Sequence, residues 1–169
     1  LVQDKAHNFE LIPTDRPILL RTFMKRAGPQ AIAVGFPQRV QFAFDSERVR
    51  LVEAWRGRFL NAHGTWFNRA APPAEPLGTE RIAFPPGMPL AILADARQPW
   101  PQPLLTSAGT TAQIDVPSSV PETQSHRFRG YRQDHQGVPT LLSRFHRFDV
   151  EDRLQPDSEW LVRRLRIRD

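Results

Sequence analysis

Short runs in which apolar and polar residues alternate make up much of this chain, and prolines and turn residues separate them. The alternation is strict over residues 40–44. It returns over residues 160–168, where Leu161, Leu165 and Ile167 share one face and three arginines share the other. A period of two predicts strands of antiparallel sheets with one solvated face.

The distribution of proline favours the same fold class. The 17 prolines are spread along the chain, and no stretch between them shows a clean helical period longer than about three turns. Proline interrupts the hydrogen bonds of a helix but is tolerated between strands. We therefore predict an all-β domain: an antiparallel β-sandwich (the supersandwich arrangement included) with long proline-rich loops and at most two short helices.

The predicted strands are short and follow one another closely. They cover residues 18–24, 31–36, 40–44, 49–56, 81–84, 90–93, 127–132, 139–145, 147–152 and 160–168. Turns are predicted at Gly28-Pro29, at residues 45–47 and at residues 134–137, where turn-forming residues cluster.

The run 49–56 is open to two interpretations. Its apolar spacing also fits a short helix capped by Asp45 or Ser46. We prefer a strand, because Val49, Leu51 and Trp55 would share one face and the preceding segment reads as a hairpin arm.

Residues 98–125 carry the weakest pattern in the chain. Five prolines lie there among serines and threonines, and no apolar period is visible. This composition predicts a flexible loop or internal linker within a single β domain that spans residues 1–169. We expect a protease to cut there first.

The absence of cysteine excludes several kinds of site. Disulfides, iron–sulfur clusters, thiolate zinc sites and covalent c-type haem attachment all require cysteine. The five histidines lack the spacing of a local metal pair, so we predict neither a metal nor a cofactor. No apolar run approaches the roughly 18 residues of a membrane span, and both ends look like cuts from a longer chain.

Arginine dominates the charge of the chain. The net charge is +5, and every basic residue except Lys5 and Lys25 is arginine. An arginine-rich surface suits an anionic polymer, but acidic residues run through the same segments, so the bias of a GC-rich genome explains the composition as well. The basic and aromatic run 127–132 resembles a nucleic-acid-binding strand, yet simple alternation accounts for it and we predict no nucleic-acid partner.

The densest candidate for a binding site is the segment 55–69, which holds two Trp, one His, two Gly and three Arg. An aromatic face that stacks and a guanidinium that donates paired hydrogen bonds are what saccharide sites use. The candidate ligand-binding residues are Trp55, His63, Trp66 and Arg69. The alternative is that Trp55, Phe59 and Trp66 are core residues that flank a tight turn at Gly57 or Gly64.

A catalytic site has weaker support. Asp149, Glu151 and Asp152 could supply a pair of carboxylates, but a charged sheet edge that resists aggregation explains them as well. The serines of residues 107–125 lie in the proline-rich stretch rather than on a strained turn. We therefore assign no catalytic residue.

Five stretches of the chain resemble a known family. They are GPQAIAVGFP (28–37), VQFAFD (40–45), WRGRFLNA (55–62), FRGYRQD (128–134) and GVPT (137–140). They resemble an uncharacterised β-rich domain of large exported bacterial proteins that also carry c-type cytochrome modules and sugar-dehydrogenase-like modules. The resemblance implies export to the periplasm or cell surface and neighbouring modules in the same polypeptide or complex, cytochrome c among them. It supplies no catalytic residue.

The function expected from these observations is that of a non-catalytic module that binds a saccharide or docks neighbouring modules of an exported redox or carbohydrate-processing protein. A carbohydrate-active enzyme domain that uses the carboxylates near Asp149 is one alternative. A structural scaffold subunit that packs through its arginine-rich face is the other. Exposed tryptophans would favour the saccharide, and a pocket that joins two carboxylates would favour the enzyme.

Overall fold

The computed structural model describes residues 9–67, 70–87, 89–99, 126–158 and 160–169. In these ranges the chain consists of antiparallel strands, loops and a single four-residue helix, α1 (His63–Trp66). The strands are β1 (Glu10–Leu11), β2 (Ile18–Met24), β3 (Gly28–Gly35), β4 (Val40–Asp45), β5 (Arg50–Arg56), β6 (Leu60–Asn61), β7 (Glu80–Ala83), β8 (His126–Gln133), β9 (Pro139–Phe145), β10 (Phe148–Asp157) and β11 (Trp160–Arg168). The predicted all-β fold with little helix is confirmed.

The central layer is a five-stranded sheet with the order β2-β3-β4-β5-β7. Its middle strand β4 is buried at every position. The alternation along this strand therefore separates two apolar faces, with Phe42 and Phe44 on one side and Ala43 on the other. Even Gln41 is buried, and its side chain accepts a hydrogen bond from the Phe36 amide (2.8 Å) and donates one to the Gly57 carbonyl (2.9 Å).

A four-stranded sheet with the order β11-β10-β9-β8 covers one face of the central layer. Both sheets contribute to the apolar cluster between them, which contains Ile32, Val34, Phe36, Phe42, Phe44, Val49, Leu51, Leu141 and Leu154. This sheet-on-sheet packing is the sandwich that the sequence predicts.

The second face of the central sheet has its own cover. The two-stranded sheet of β1 and β6, with the chain around it, packs there. The cluster beneath contains Leu11, Leu20, Met24, Ala27, Ala31, Ala33, Ala43, Val52, Trp55, Phe59, Leu60 and Ala62. The molecule therefore has three layers, and the central sheet is buried on both sides.

A β-bulge in β5 changes which residues share a face. Ala43 pairs with Glu53, whereas the next residue of β4, Phe44, pairs with Leu51, so Val52 is an extra residue. A bulge of this kind reverses the in–out order of the residues beyond it. Leu51 consequently faces the four-stranded sheet and Trp55 the opposite layer. The strand prediction for this run is confirmed, but the prediction that Leu51 and Trp55 share a face is wrong.

Two local predictions are also wrong. Residues 90–93 are not a strand; Leu90 instead lies beside the open end of the cluster between the sheets. The turn expected at Gly28-Pro29 occurs at residues 25–27, and Met24 pairs with Gly28, whose φ of 77° suits the end of such a tight connection. The predicted loop at 98–125 lies outside the described residues except for Gln98 and Pro99.

Candidate functional site

The bulge in β5 decides the position of Trp55. This residue is buried, its ring stacks on Phe59 with centroids 6.1 Å apart, and its indole Nε1 donates to the Arg58 carbonyl at 3.0 Å. The only hydrogen-bond donor of the indole is thus satisfied inside the protein. Trp55 is a core residue, and its ring is not accessible to a ligand.

Trp66, by contrast, lies at the surface with 50 % of its area exposed. Its ring meets Phe9 edge-on at 5.2 Å, and Phe9 also contacts Phe67 at 5.9 Å. The His63 ring lies 5.7 Å from Phe67. The interpretation of Trp66 as a core residue is therefore wrong, and a surface group of rings surrounds the short helix. Arg69, the fourth candidate, lies outside the described residues.

A groove opens beside α1, between this helix and residues 71–77. Its volume is about 560 Å³, within the range of roughly 300–1,000 Å³ that small-ligand sites occupy. Phe23 at the end of β2 lines it, and 52 % of this side chain is exposed. Asn61, His63 and Glu75 supply polar groups along the groove.

Three contacts hold the walls of the groove in place. The Ala74 amide donates to the Phe23 carbonyl at 2.7 Å, which fixes the outer segment along β2. The hydroxyls of Thr22 and Thr65 lie 2.6 Å apart and tie the helix to the same strand. A Cβ atom at Gly64 would come within 2.7 Å of the Ala71 Cβ, so the close approach here requires glycine.

The polar groups of the groove offer both donors and acceptors. The side-chain oxygen of Asn61 accepts from the amides of Phe9 and His63, each at 3.0 Å. This leaves the Asn61 NH₂ group without a partner among the residues that the structure describes. The exposed carboxylate of Glu75 lies 3.7 Å from the Lys25 ammonium and retains acceptor capacity.

Sequence reasoning located part of this groove and missed the rest. It singled out His63 and the segment around it, but not Phe23, Asn61 or Glu75. One signal was available: Leu20, Thr22 and Met24 alternate inward along β2, so Phe23 is an aromatic residue on the polar face. Glu75 gave no such signal, because tertiary contacts such as the bridge between Met24 and Ala74 bring its loop to β2.

The three carboxylates of the enzyme hypothesis lie on two faces of β10. Asp149 on the outer face pairs with Arg144 at 2.8 Å, and Glu151 on the same face pairs with Arg132 at 3.0 Å. Asp152 is buried on the inner face and accepts two hydrogen bonds from Arg163, at 2.9 and 2.7 Å. Each carboxylate is neutralised by arginine, and the opposed faces prevent the outer pair from acting with Asp152 on one substrate.

A second polar cluster lies between the two large sheets. The Nε2 of His126 is 2.9 Å from the Ser143 hydroxyl, and its buried Nδ1 has no partner among the described residues. Burial, together with a smaller contribution from the charge of the nearby Arg163, lowers the pKa of His126 to about 4. The adjoining cavity has a volume of about 10 Å³, which suits a single water molecule rather than a substrate.

No family model, curated protein or solved structure matches this chain. In the part of the chain that the structure describes, no three His, Asp or Glu side chains gather as a metal site. The four-residue α1 is the only helix there, so none of the described helices has the length to cross a membrane. The groove beside α1 has the volume to hold a small ligand, whereas the cavity beside His126 does not.

Proposed function

We propose that this domain is a non-catalytic module that binds a saccharide in the groove beside α1. The observation that carries the proposal is the combination of an exposed ring, Phe23, with unused polar groups of Asn61 and Glu75 along one groove. Sugars present apolar C–H faces and a rim of hydroxyls. A binding site for them therefore needs a ring to stack on and fixed donors and acceptors beside it.

The chemistry of the groove assigns a role to each group. The ring of Phe23 covers one face of the sugar, the Asn61 NH₂ donates to a hydroxyl oxygen, and the Glu75 carboxylate accepts from a hydroxyl. Asn61 is held firmly, because its own oxygen is already fixed by two backbone amides at 3.0 Å. Such fixed groups lose little conformational freedom when a ligand binds.

Trp66 provides a second exposed ring, on the short helix α1 beside the groove. It does not line the groove, so a single sugar would not need it. A longer chain that leaves the groove across α1 would reach the exposed rings of Trp66 and Phe67. The proposal therefore favours oligosaccharides over monosaccharides. It retains the exported setting, in the periplasm or at the cell surface, and the neighbouring modules as predictions from the resemblance.

The test is to titrate the parent protein and the Phe23→Ala variant with a panel of neutral oligosaccharides. NMR or calorimetry measures the binding affinity of each protein. Removal of a contact ring costs about 1–3 kcal/mol, so we expect affinity to fall roughly 5- to 150-fold. Phe84→Ala is the matched control, because Phe84 is an exposed phenylalanine outside the groove. Equal affinity in the parent and in Phe23→Ala, or no response of the groove residues to any saccharide, would overturn the proposal.

A further inference from the structure

The four outer edges of the two large sheets are protected to different degrees. The edge of β2 is bridged by Ala74, and the edge strand β7 spans four residues. In β8 a register shift between Phe128 and Gly130 breaks the regular ladder. The edge strand β11 spans nine residues and pairs with β10 without a register shift, so its second side offers a long and regular row of backbone groups.

Such an edge is unusual in a protein that stays soluble, because unpaired strand edges recruit other strands. Natural proteins shorten, bulge or cover their edges for this reason. Three of the four edges here follow that rule, and none of the described residues pairs with the outer side of β11. The exception points to a partner strand.

The side chains of β11 indicate the chemistry of that partner. Arg164, Arg166 and Arg168 lie on the solvent face, at intervals of about 6.8 Å along the strand. Arg168 lies 3.6 Å from Glu151. Arg164 and Arg166 have no acidic partner among the described residues. Two of the three arginines of the outer row therefore carry positive charge that no described ion pair neutralises.

The inner row of β11 is apolar except for Arg163, which pairs with the buried Asp152, and it is incompletely covered. Leu161 packs against the cluster between the sheets, whereas 45 % of Leu165 and 52 % of Ile167 remain exposed. Leu165 lines the small cavity that Phe44 of the central sheet also lines, so its side chain is only partly covered there. A further strand beside β11 would place its own inward side chains over Leu165 and Ile167.

We propose that the edge of β11 binds an extended polypeptide segment in which acidic and apolar residues alternate. The segment adds a fifth strand to the four-stranded sheet through backbone hydrogen bonds. Its acidic side chains face Arg164 and Arg166, and its apolar side chains cover Leu165 and Ile167. This surface is separate from the groove beside α1, so the proposal does not depend on saccharide binding.

Two other occupants fit less well. A second copy of β11 would bring its own arginine row to the same face, and like charges on adjacent strands repel. An anionic polymer without a peptide backbone could form ion pairs with the arginines but no backbone hydrogen bonds with the edge of β11. It would also leave Leu165 and Ile167 exposed. Only an acidic and apolar strand accounts for the three features together.

The probe is a labelled peptide of about nine residues, the length of β11, that alternates Glu and Val and carries a proline at each end. Fluorescence anisotropy compares it with a peptide of the same composition in two blocks and with a peptide that alternates Lys and Val. We expect the alternating Glu peptide to bind at least 10-fold more tightly than either control. Methylation of its backbone nitrogens on the pairing side should abolish binding, because it removes the ladder.

Matched variants and hydrogen exchange locate the complex. Arg164→Glu with Arg166→Glu should weaken binding at least 10-fold, whereas Arg127→Glu with Arg129→Glu, which makes the same change of charge in β8, should alter it less than 3-fold. Peptide binding should protect amides of β11 and leave those of β8 unchanged.

Three outcomes overturn the proposal. Equal binding of the block peptide would show a general affinity for polyanions. Equal loss in the β8 variant would show a general charge effect. Dimerisation of the protein alone, with β11 amides protected, would make a second copy the occupant.

Discussion

The two large sheets meet at one interface but contribute different chemistry to it. The central sheet offers hydrocarbon and aromatic surface, with Phe36, Phe42 and Phe44 at its middle. The four-stranded sheet adds ionisable groups to the same layer, because His126 and the pair of Asp152 and Arg163 lie on its inner face. We therefore expect apolar packing to stabilise the central sheet. The attachment of the four-stranded sheet should depend in addition on the ion pair of Asp152 with Arg163 and on the protonation state of His126.

The largest expected effect is in the central sheet. Phe42→Ala should lower the free energy of unfolding by about 3–5 kcal/mol, because it opens a cavity in a strand that is buried on both faces. Urea denaturation followed by fluorescence measures it. Phe84→Ala, at an exposed position, should cost less than about 1 kcal/mol, and similar costs at both positions would remove the basis for the comparison.

The next effect concerns the ion pair within the four-stranded sheet. Arg163→Met should cost about 1–3 kcal/mol, because it leaves the buried carboxylate of Asp152 without its two hydrogen bonds. Arg144→Met is the control: its partner Asp149 is exposed, so the cost should stay below about 1 kcal/mol. The same denaturation experiment compares the two variants, and equal costs would mean that the inner position of the pair is unimportant.

The pH dependence of stability should arise partly from His126. Its pKa in the folded protein, about 4, lies below the ordinary histidine value near 6.5, so the unfolded chain takes up a proton first as the pH falls. The stability due to the neutral ring is complete above about pH 6.5 and is lost between there and about pH 4. Because the ring is partly exposed, we expect a loss of about 1–2 kcal/mol over this range.

His126→Gln isolates this effect, because glutamine does not titrate and its side-chain amide can still form a hydrogen bond with the Ser143 hydroxyl. Unfolding curves at pH 7, 5.5 and 4 should be closer together in the variant than in the parent. An unchanged pH dependence would show that other groups destabilise the sandwich in acid.

The smallest effect concerns Glu53, a buried carboxylic acid in strand β5 of the central sheet. Burial raises the pKa of Glu53, against the opposing charges of Arg26 and Arg81. For an acid this sign means that the charged form disfavours folding once the pH rises above the ordinary value near 4.5. Glu53→Gln should therefore raise the Tm at pH 7 by no more than about 2–4 °C, and the gain should vanish below pH 4. A lower Tm would mean that the pairing with Arg26 outweighs burial.

Much of the fold was predictable because the relevant information is local. The strands at residues 139–145 and 160–168 were predicted with the bounds that the structure shows, since alternation and flanking turns lie in the same few residues. The bulge at Val52 was not predictable, because it depends on pairing between β4 and β5 rather than on either sequence. That single extra residue also explains why Trp55 could not be assigned to the correct layer.

The candidate site was less predictable for a related reason. The helix that carries His63 and Trp66 lies in one dense segment, and that segment was found. Phe23 and Glu75 are brought to one groove by tertiary contacts, among them the hydrogen bond between the Ala74 amide and the Phe23 carbonyl. Phe23 and Ala74 lie about 50 residues apart in the sequence, so neither local composition nor hydrophobic periodicity indicates their contact.

The order of strands within each large sheet has a consequence for how the chain reaches its fold. In the four-stranded sheet, every strand pairs with its neighbour in sequence, and the central sheet departs from this order only between β5 and β7. Such sheets close mainly through short loops, which favours rapid formation among all-β proteins. Apart from Pro89 and Leu90, which line the cavity between the sheets, the connection serves to join them, and each doubling of its length adds about 0.6 kcal/mol of closure entropy. Insertions between β7 and β8 should therefore be tolerated in evolution and in engineering, while the two sheets around them stay the same.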